Sequence, residues 1–183
     1  MSPVDTDFDI NSIIPLLKKG ELGFIENSKI RPKQVSLFTI IDAKPDAVWD
    51  LITDYEHYTD IFPSVLECKV VKQEGDVTFI DYKLDAVLYS IRYRMKHKHN
   101  PKSSIEISVV SGDLKSGDYR YDLYPYEDKT VLIYSIKASA TDTSFILKKI
   151  VKKQPTMDEA INISTAIITL NNIKDALNKG KKR

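Results

Sequence analysis

The stretch that most constrains how this chain can fold is Ile41–Cys68, IDAKPDAVWDLITDYEHYTDIFPSVLEC. It reads as the end of a strand, a helix, a tight turn, a second short helix and the start of another strand. Pro45 suits the first helical position, where the missing N–H would have no partner anyway. Val48, Leu51 and Ile52 recur at helical spacing, with Trp49 beside that face. Asp54 stands where a short side-chain oxygen can cap the turn Tyr55–Ile61. Pro63 stops that turn and favours an extended residue before it. Two short helices set between strands cannot form a core alone; they need a large curved surface to plug.

That surface is written in the period-two segments that follow. Val65–Lys72 and Val77–Leu84 are joined by the turn Gln73-Glu74-Gly75-Asp76, a hairpin signal. Tyr89–His99 alternates most strictly, with Ile91, Tyr93, Met95 and His97 on one face and Arg92, Arg94, Lys96 and Lys98 on the other. Ser104–Val110, Asp118–Tyr124 and Thr130–Ala140 continue the pattern, with turns at Asn100-Pro101-Lys102 and Tyr124–Asp128. Short connections throughout predict an antiparallel meander.

The tail is helical and broken once. Phe145–Lys153 sets Ile146, Leu147, Ile150 and Val151 opposite Lys148, Lys149, Lys152 and Lys153. Pro155 restarts the helix, with Asp158 and Glu159 in its favourable first turn. From Met157 to Leu177 apolar residues cover more than one stripe, which predicts burial on several sides. Upstream, Asp9–Lys19 is an amphipathic helix holding Pro15 and ending at Gly20. Glu21–Glu26 is a candidate extra strand against Gln34–Asp42. The expected organisation is an N-terminal extension, 1–33, packed on the sheet edge, a main domain, 34–178, and a frayed basic tail, 179–183.

Pro45, Val48, Trp49, Leu51, Asp54, Tyr55, Tyr58, Phe62 and Pro63 resemble the P-x-x-V-W-x-x-L-x-D-x-x-x-Y-x-x-F-x-P signature of START-like (SRPBCC) proteins, in the polyketide-cyclase and coenzyme-Q-binding branch. The resemblance implies an α+β helix-grip fold: a bent antiparallel seven-stranded sheet wrapped around a long C-terminal helix, with an apolar cavity between them. It further implies a hydrophobic ligand, whether a lipid, a quinone or a polyketide-like compound. The ligand-binding wall expected on this basis is Tyr82, Leu84, Tyr93, Met95, Ile107, Tyr119, Tyr121, Tyr134, Ile161 and Ile168. Tyrosine suits such a wall because it combines a large ring with a hydroxyl that needs a partner. If the protein is instead an aromatase/cyclase-type enzyme, His97, Tyr93 and Tyr119 are the first catalytic candidates.

Other chemistry finds less support. The chain has 183 residues and a net charge of +1, so nothing pulls it globally towards nucleic acid. No DNA partner is expected, and ribosome or RNA contact through the Arg92–Lys98 row ranks last. His97 and His99 with His57 could bind zinc, but no carboxylate or cysteine is visibly committed, so neither a metal nor a cofactor is expected. Asp81, Asp85, Asp118 and Asp122 read as outward-facing. Cys68 has no base beside it and reads as a poor nucleophile. The lysine-rich helix Phe145–Lys153 suits transient contact with a membrane surface. The opening MSPVDTDFDI lacks a signal-peptide profile, so the cytoplasm is the default location, or the periplasm or exterior if a leader has been removed.

Overall fold

A computed structural model describes residues 9–85, 89–139, 141 and 145–180. In chain order the elements are α1 (Ile10–Leu17), β1 (Leu22–Ile25), β2 (Val35–Ile41), α2 (Pro45–Thr53), a 3-10 turn (Tyr55–His57) and α3 (Tyr58–Ile61). Then come β3 (Val65–Glu74), β4 (Val77–Asp85), β5 (Ser90–Asn100), β6 (Ser104–Gly112), β7 (Asp118–Tyr126), β8 (Lys129–Lys137), α4 (Phe145–Lys153) and α5 (Met157–Gly180). The final Lys181–Arg183 of the expected tail lie outside the described residues, and α5 runs through Gly180 rather than fraying before it.

All eight strands form one antiparallel sheet in the order β1-β2-β8-β7-β6-β5-β4-β3. The meander expected from short connections holds from β3 to β8. The first main strand breaks it: β2 joins β8, so the α2–α3 connection carries the chain from one side of the sheet to the other. The sheet has eight strands rather than seven because Leu22–Ile25 pairs with Val35–Phe38 and extends the β2 edge. Register shifts along β3, and between Arg94 and Met95 on β5, mark bulges, which bend a sheet.

The bent sheet presents two packed faces. Its inner face meets α2, α3 and α5 around Leu37, Val48, Ile52, Ile80, Ile105, Leu132, Leu170 and Ile173. Its outer face is covered over β2 and β8 by α1, through Ile13, Ile14 and Leu17 against Phe38, Val131 and Ile133. This explains why β2 and β8 are buried along nearly their whole length while β5 alternates. Asp9 caps α1 by accepting from the Asn11 N–H, and Pro15 is accommodated inside the helix. Within the expected extension, residues 9–33 thus contribute both an edge strand and an outer layer.

Three local expectations need correction. Asp54 makes no capping bond; its carboxylate pairs with His57 Nδ1 at 2.8 Å instead. Asp122 is buried rather than solvated, because Arg120 folds over it at 2.7 Å and also reaches Glu106. Helix α5 is buried on one side, through Asn162, Ala166, Leu170 and Ile173, whereas Ile167 and Ile168 are 38% and 58% exposed. The sheet is open, so the helix closes its hollow side and turns its back to water.

Candidate functional site

Between the inner sheet face and α5 lies a cavity of about 600 Å³. Alternate residues of β5, namely Ile91, Tyr93, Met95 and His97, face it, as strand geometry requires, together with single or paired inward residues of β4, β6, β7 and β8. Of the expected wall, Tyr82, Leu84, Tyr93, Met95, Ile107, Tyr119, Tyr121, Tyr134 and Ile161 line it, and so does His97. Ile168 does not. It stands two positions past Ala166, whose own side faces the core, and a step of about 200° along a helix carries it to the solvent side. Tyr58, Phe62, Ser64, Val65, Ile91, Leu114, Ser116, Ile136, Ala138, Ser139, Asn162, Thr165 and Thr169 line it as well. Asp85, expected to point outward, borders the cavity from the end of β4. Tyr58 and Phe62 could have been found from the α2–α3 motif itself; the loop and α5 positions carry no comparable sequence signal.

Helix α5 is held over the cavity at its N-terminal end by buried polar groups. Arg31 donates to both Glu159 carboxylate oxygens at 2.8 and 3.0 Å and to the Pro155 carbonyl. Ser139 Oγ donates to Asp158 at 2.9 Å, and Asn162 Nδ2 donates to the Ala138 carbonyl at 2.9 Å. Asp158 and Glu159, expected in the helix's favourable first turn, stand there and are also buried and tied to the body of the domain.

At the end of the cavity nearest the β4 start and the β5 finish, the polar groups form a chain whose proton positions can be deduced. His99 Nδ1 lies 3.1 Å from the Asp76 carbonyl, which can only accept, so Nδ1 carries the proton. Burial holds His99 below its usual pKa, so the ring is neutral and Nε2 is an acceptor. Tyr55 therefore donates its hydroxyl proton to His99 Nε2 at 2.7 Å. The Tyr55 oxygen then accepts from His97 Nδ1 at 3.2 Å, which leaves His97 Nε2 to accept from Tyr82 at 3.3 Å. Desolvation pushes the His97 pKa down to about 3, in keeping with this neutral tautomer. The rings pack as they bond: Tyr55 is edge-on to His97 at 5.2 Å, and Tyr82 is stacked on it at 6.1 Å.

The His97–His99 pair is thus bridged by a tyrosine, and His57 stands apart with Asp54. Among the described residues no group of three or more His, Cys, Asp or Glu is placed to hold a metal ion. Burial raises the Cys68 thiol to about 11, which leaves little thiolate at neutral pH. On the outer face the cationic row is largely neutralised: Arg94 is bidentate to Asp81 at 2.6 and 2.8 Å, Arg92 reaches Glu67, and Lys98 reaches Glu106. No helix among the described residues is long and apolar enough to cross a membrane.

Tyr121 and Tyr134 stack at 4.5 Å across β7 and β8, with Thr169 of α5 beside the Tyr134 hydroxyl. Tyr58 donates to the Ile52 carbonyl at 2.5 Å. Tyr93 and Tyr119 differ. Among the described residues neither hydroxyl has a hydrogen-bond partner, although both rings are packed into the wall. Tyr93 is only 7% exposed and stacks on Tyr82 at 5.6 Å.

A hollow between a bent sheet and a gripping C-terminal helix is the architecture of START-like proteins. Residues 41–159 match the sequence pattern of the family described as polyketide cyclase / dehydrase and lipid transport, and the chain belongs to that family. Solved structures agree in fold. A START superfamily protein from Mycobacterium smegmatis matches with a TM-score of 0.63 at 14% identity, over 80% of this chain and 97% of its own. The Zhui aromatase/cyclase from Streptomyces sp. R1128 matches at 0.66 and 14%, over 80% and 93%. A STAR-related lipid transfer protein fragment from Xanthomonas axonopodis matches at 0.66 and 13%, over 87% and 94%. No functionally curated protein matches in sequence.

Proposed function

We propose that this protein encloses a hydrophobic small molecule (a lipid, a quinone or a polyketide-like compound) between the sheet and α5. The cavity carries this reading. Its volume of about 600 Å³ falls within the range of small-molecule sites, and its wall is mostly aliphatic and aromatic with a few polar groups. Transfer of apolar surface from water into such a hollow yields about 25 cal/mol per Å², enough to hold a lipid-sized molecule without a charged anchor. Native mass spectrometry of the purified protein, followed by titration with apolar fluorescent probes, tests it. Uptake of one molecule per chain is expected; a protein that takes up none of a varied set of apolar probes would refute it.

A carrier also has to collect its cargo. Helix α4 exposes Lys148, Lys149, Lys152 and Lys153 together with Ile150, which suits contact with an anionic bilayer, while Val151 is buried against the domain. Sedimentation with vesicles should then be stronger for anionic than for neutral lipid, and equal sedimentation would remove this part of the reading.

The second reading is an aromatase/cyclase-type enzyme, favoured by the unpartnered hydroxyls of Tyr93 and Tyr119 in the cavity wall. The geometry at His97 weighs against a role for that residue as the base, since both of its ring nitrogens already have partners. A general acid–base role would show as a loss of about 10²–10⁴-fold in turnover on removal of either tyrosine.

A further inference from the structure

We propose that Tyr93 and Tyr119 form the subsite that fixes the ligand's polar end, and that this end presents hydrogen-bond acceptor oxygens of the ketone, ester or quinone type. The proposal deepens the cavity reading and rests on it.

The first observation is the sorting of the cavity's hydroxyls. Tyr82 gives its proton to His97, and Tyr121 and Tyr134 are stacked on one another at 4.5 Å with their hydroxyls facing each other and Thr169. Tyr93 and Tyr119 have no such partner, yet no fully buried side-chain oxygen or nitrogen among the described residues is left unsatisfied. Both hydroxyls must therefore open onto the cavity. A phenol donor held in an apolar wall is costly to leave unmade, so a ligand that supplies an acceptor there gains over one that does not.

The second observation is how closely the backbone approaches these two residues. Gly112 lies opposite Tyr93 at the bulge, and a Cβ there would meet the Arg92 carbonyl oxygen at 2.4 Å and Tyr93 Cα at 2.5 Å. Gly117 lies under Tyr119, where a Cβ would come within 3.1 Å of both the ring edge and the hydroxyl. Two glycines thus bracket the β6–β7 loop and allow close approach of backbone to both tyrosines. Both residues thus stand beside that loop, whose Leu114 and Ser116 also line the cavity. Burial raises the pKa of each hydroxyl, Tyr119 to about 12, so both stay protonated donors across the physiological range.

The test uses two dyes that differ only in a C=O replaced by CH2: 6-propionyl-2-(dimethylamino)naphthalene, a ketone, and its carbonyl-free analogue, 6-propyl-2-(dimethylamino)naphthalene. Affinities are measured by fluorescence for the wild-type protein and for Tyr93→Phe, Tyr119→Phe and the double variant. Losing both donors should cut the affinity for the ketone, relative to the analogue, by about tenfold. The infrared carbonyl stretch of the ketone bound to the wild-type protein, which needs no variant, should lie below its position in hexane. An unchanged affinity ratio in the double variant, or a hexane-like stretch in the wild type, overturns the subsite while leaving the cavity reading intact. If neither dye binds the wild-type protein, both fall together.

Discussion

At the His97 end of the cavity the polar hydrogens run in one direction, from Tyr82 through His97, Tyr55 and His99 to the Asp76 carbonyl, whereas beside the β6–β7 loop Tyr93 and Tyr119 offer protons that no described residue takes. The same residue type thus does two jobs within one wall. Where a tyrosine bridges two histidines it binds the α2–α3 connection to β5. Where it stands free it is available to a guest. A buried hydroxyl in a protein-internal chain contributes to stability, and one without a partner is a recognition group.

This contrast can be broken by mutation. The largest effect is expected from Tyr55→Phe, which strands the His97 Nδ1 proton and the His99 Nε2 lone pair together. Urea unfolding should show a loss of about 1–3 kcal/mol for each group left unsatisfied. Tyr119→Phe, which removes a hydroxyl with no internal partner, should change stability by no more than about 0.5 kcal/mol. Equal losses for the two variants would erase the distinction between the ends.

Next in size is a pH effect confined to the His97 end. His97 has a folded pKa of about 3 against an ordinary value of 6.5, so between those values the unfolded chain binds the extra proton. Stability should therefore be complete above pH 6.5 and decline as pH falls towards 3, by up to about 1.4 kcal/mol per pH unit for this residue. His99, also depressed, adds in the same direction. In His97→Gln the acid-side slope should be shallower, as read from unfolding midpoints between pH 4 and 7. An unchanged slope would mean that His97 is not held neutral by its surroundings.

The smallest change belongs to the loop end. Gly117→Ala should press a methyl group against Tyr119 and against Ala138 Cβ, 3.3 Å away, reducing discrimination between the ketone dye and its analogue by a few-fold. Its cost in stability should stay near 1 kcal/mol, the scale of a strained glycine replacement. Discrimination left at the wild-type level would show that Tyr119 needs no such clearance.

Much of the architecture was legible in the residues. The alternation Ile91, Tyr93, Met95, His97 against Arg92, Arg94, Lys96, Lys98 set β5's inner face, because a strand has only two faces. Pro45 marked the start of α2, because proline there loses nothing. What could not be read depended on partners distant in sequence. Ile168 looked as apolar as Ile161, and only the open side of the sheet decides which of them meets the cavity. Asp122 looked like a solvent carboxylate until Arg120 was folded over it. The Tyr55 bridge joins residues 42 and 44 positions apart, and no local pattern announces it. The tyrosines of the wall were visible as a set, but which of them are already engaged is a property of the folded network alone.

The most direct test of a ligand held between the sheet and α5 is a methyl-NMR titration of isoleucine-labelled protein with the ketone dye. The δ1-methyl signals of Ile91, Ile107 and Ile161, which line the cavity, should shift in parallel to one saturating curve, while that of the solvent-facing Ile168 stays in place. Shifts confined to Ile167 and Ile168, with the cavity methyls unmoved, would contradict the account and place binding on the back of the helix.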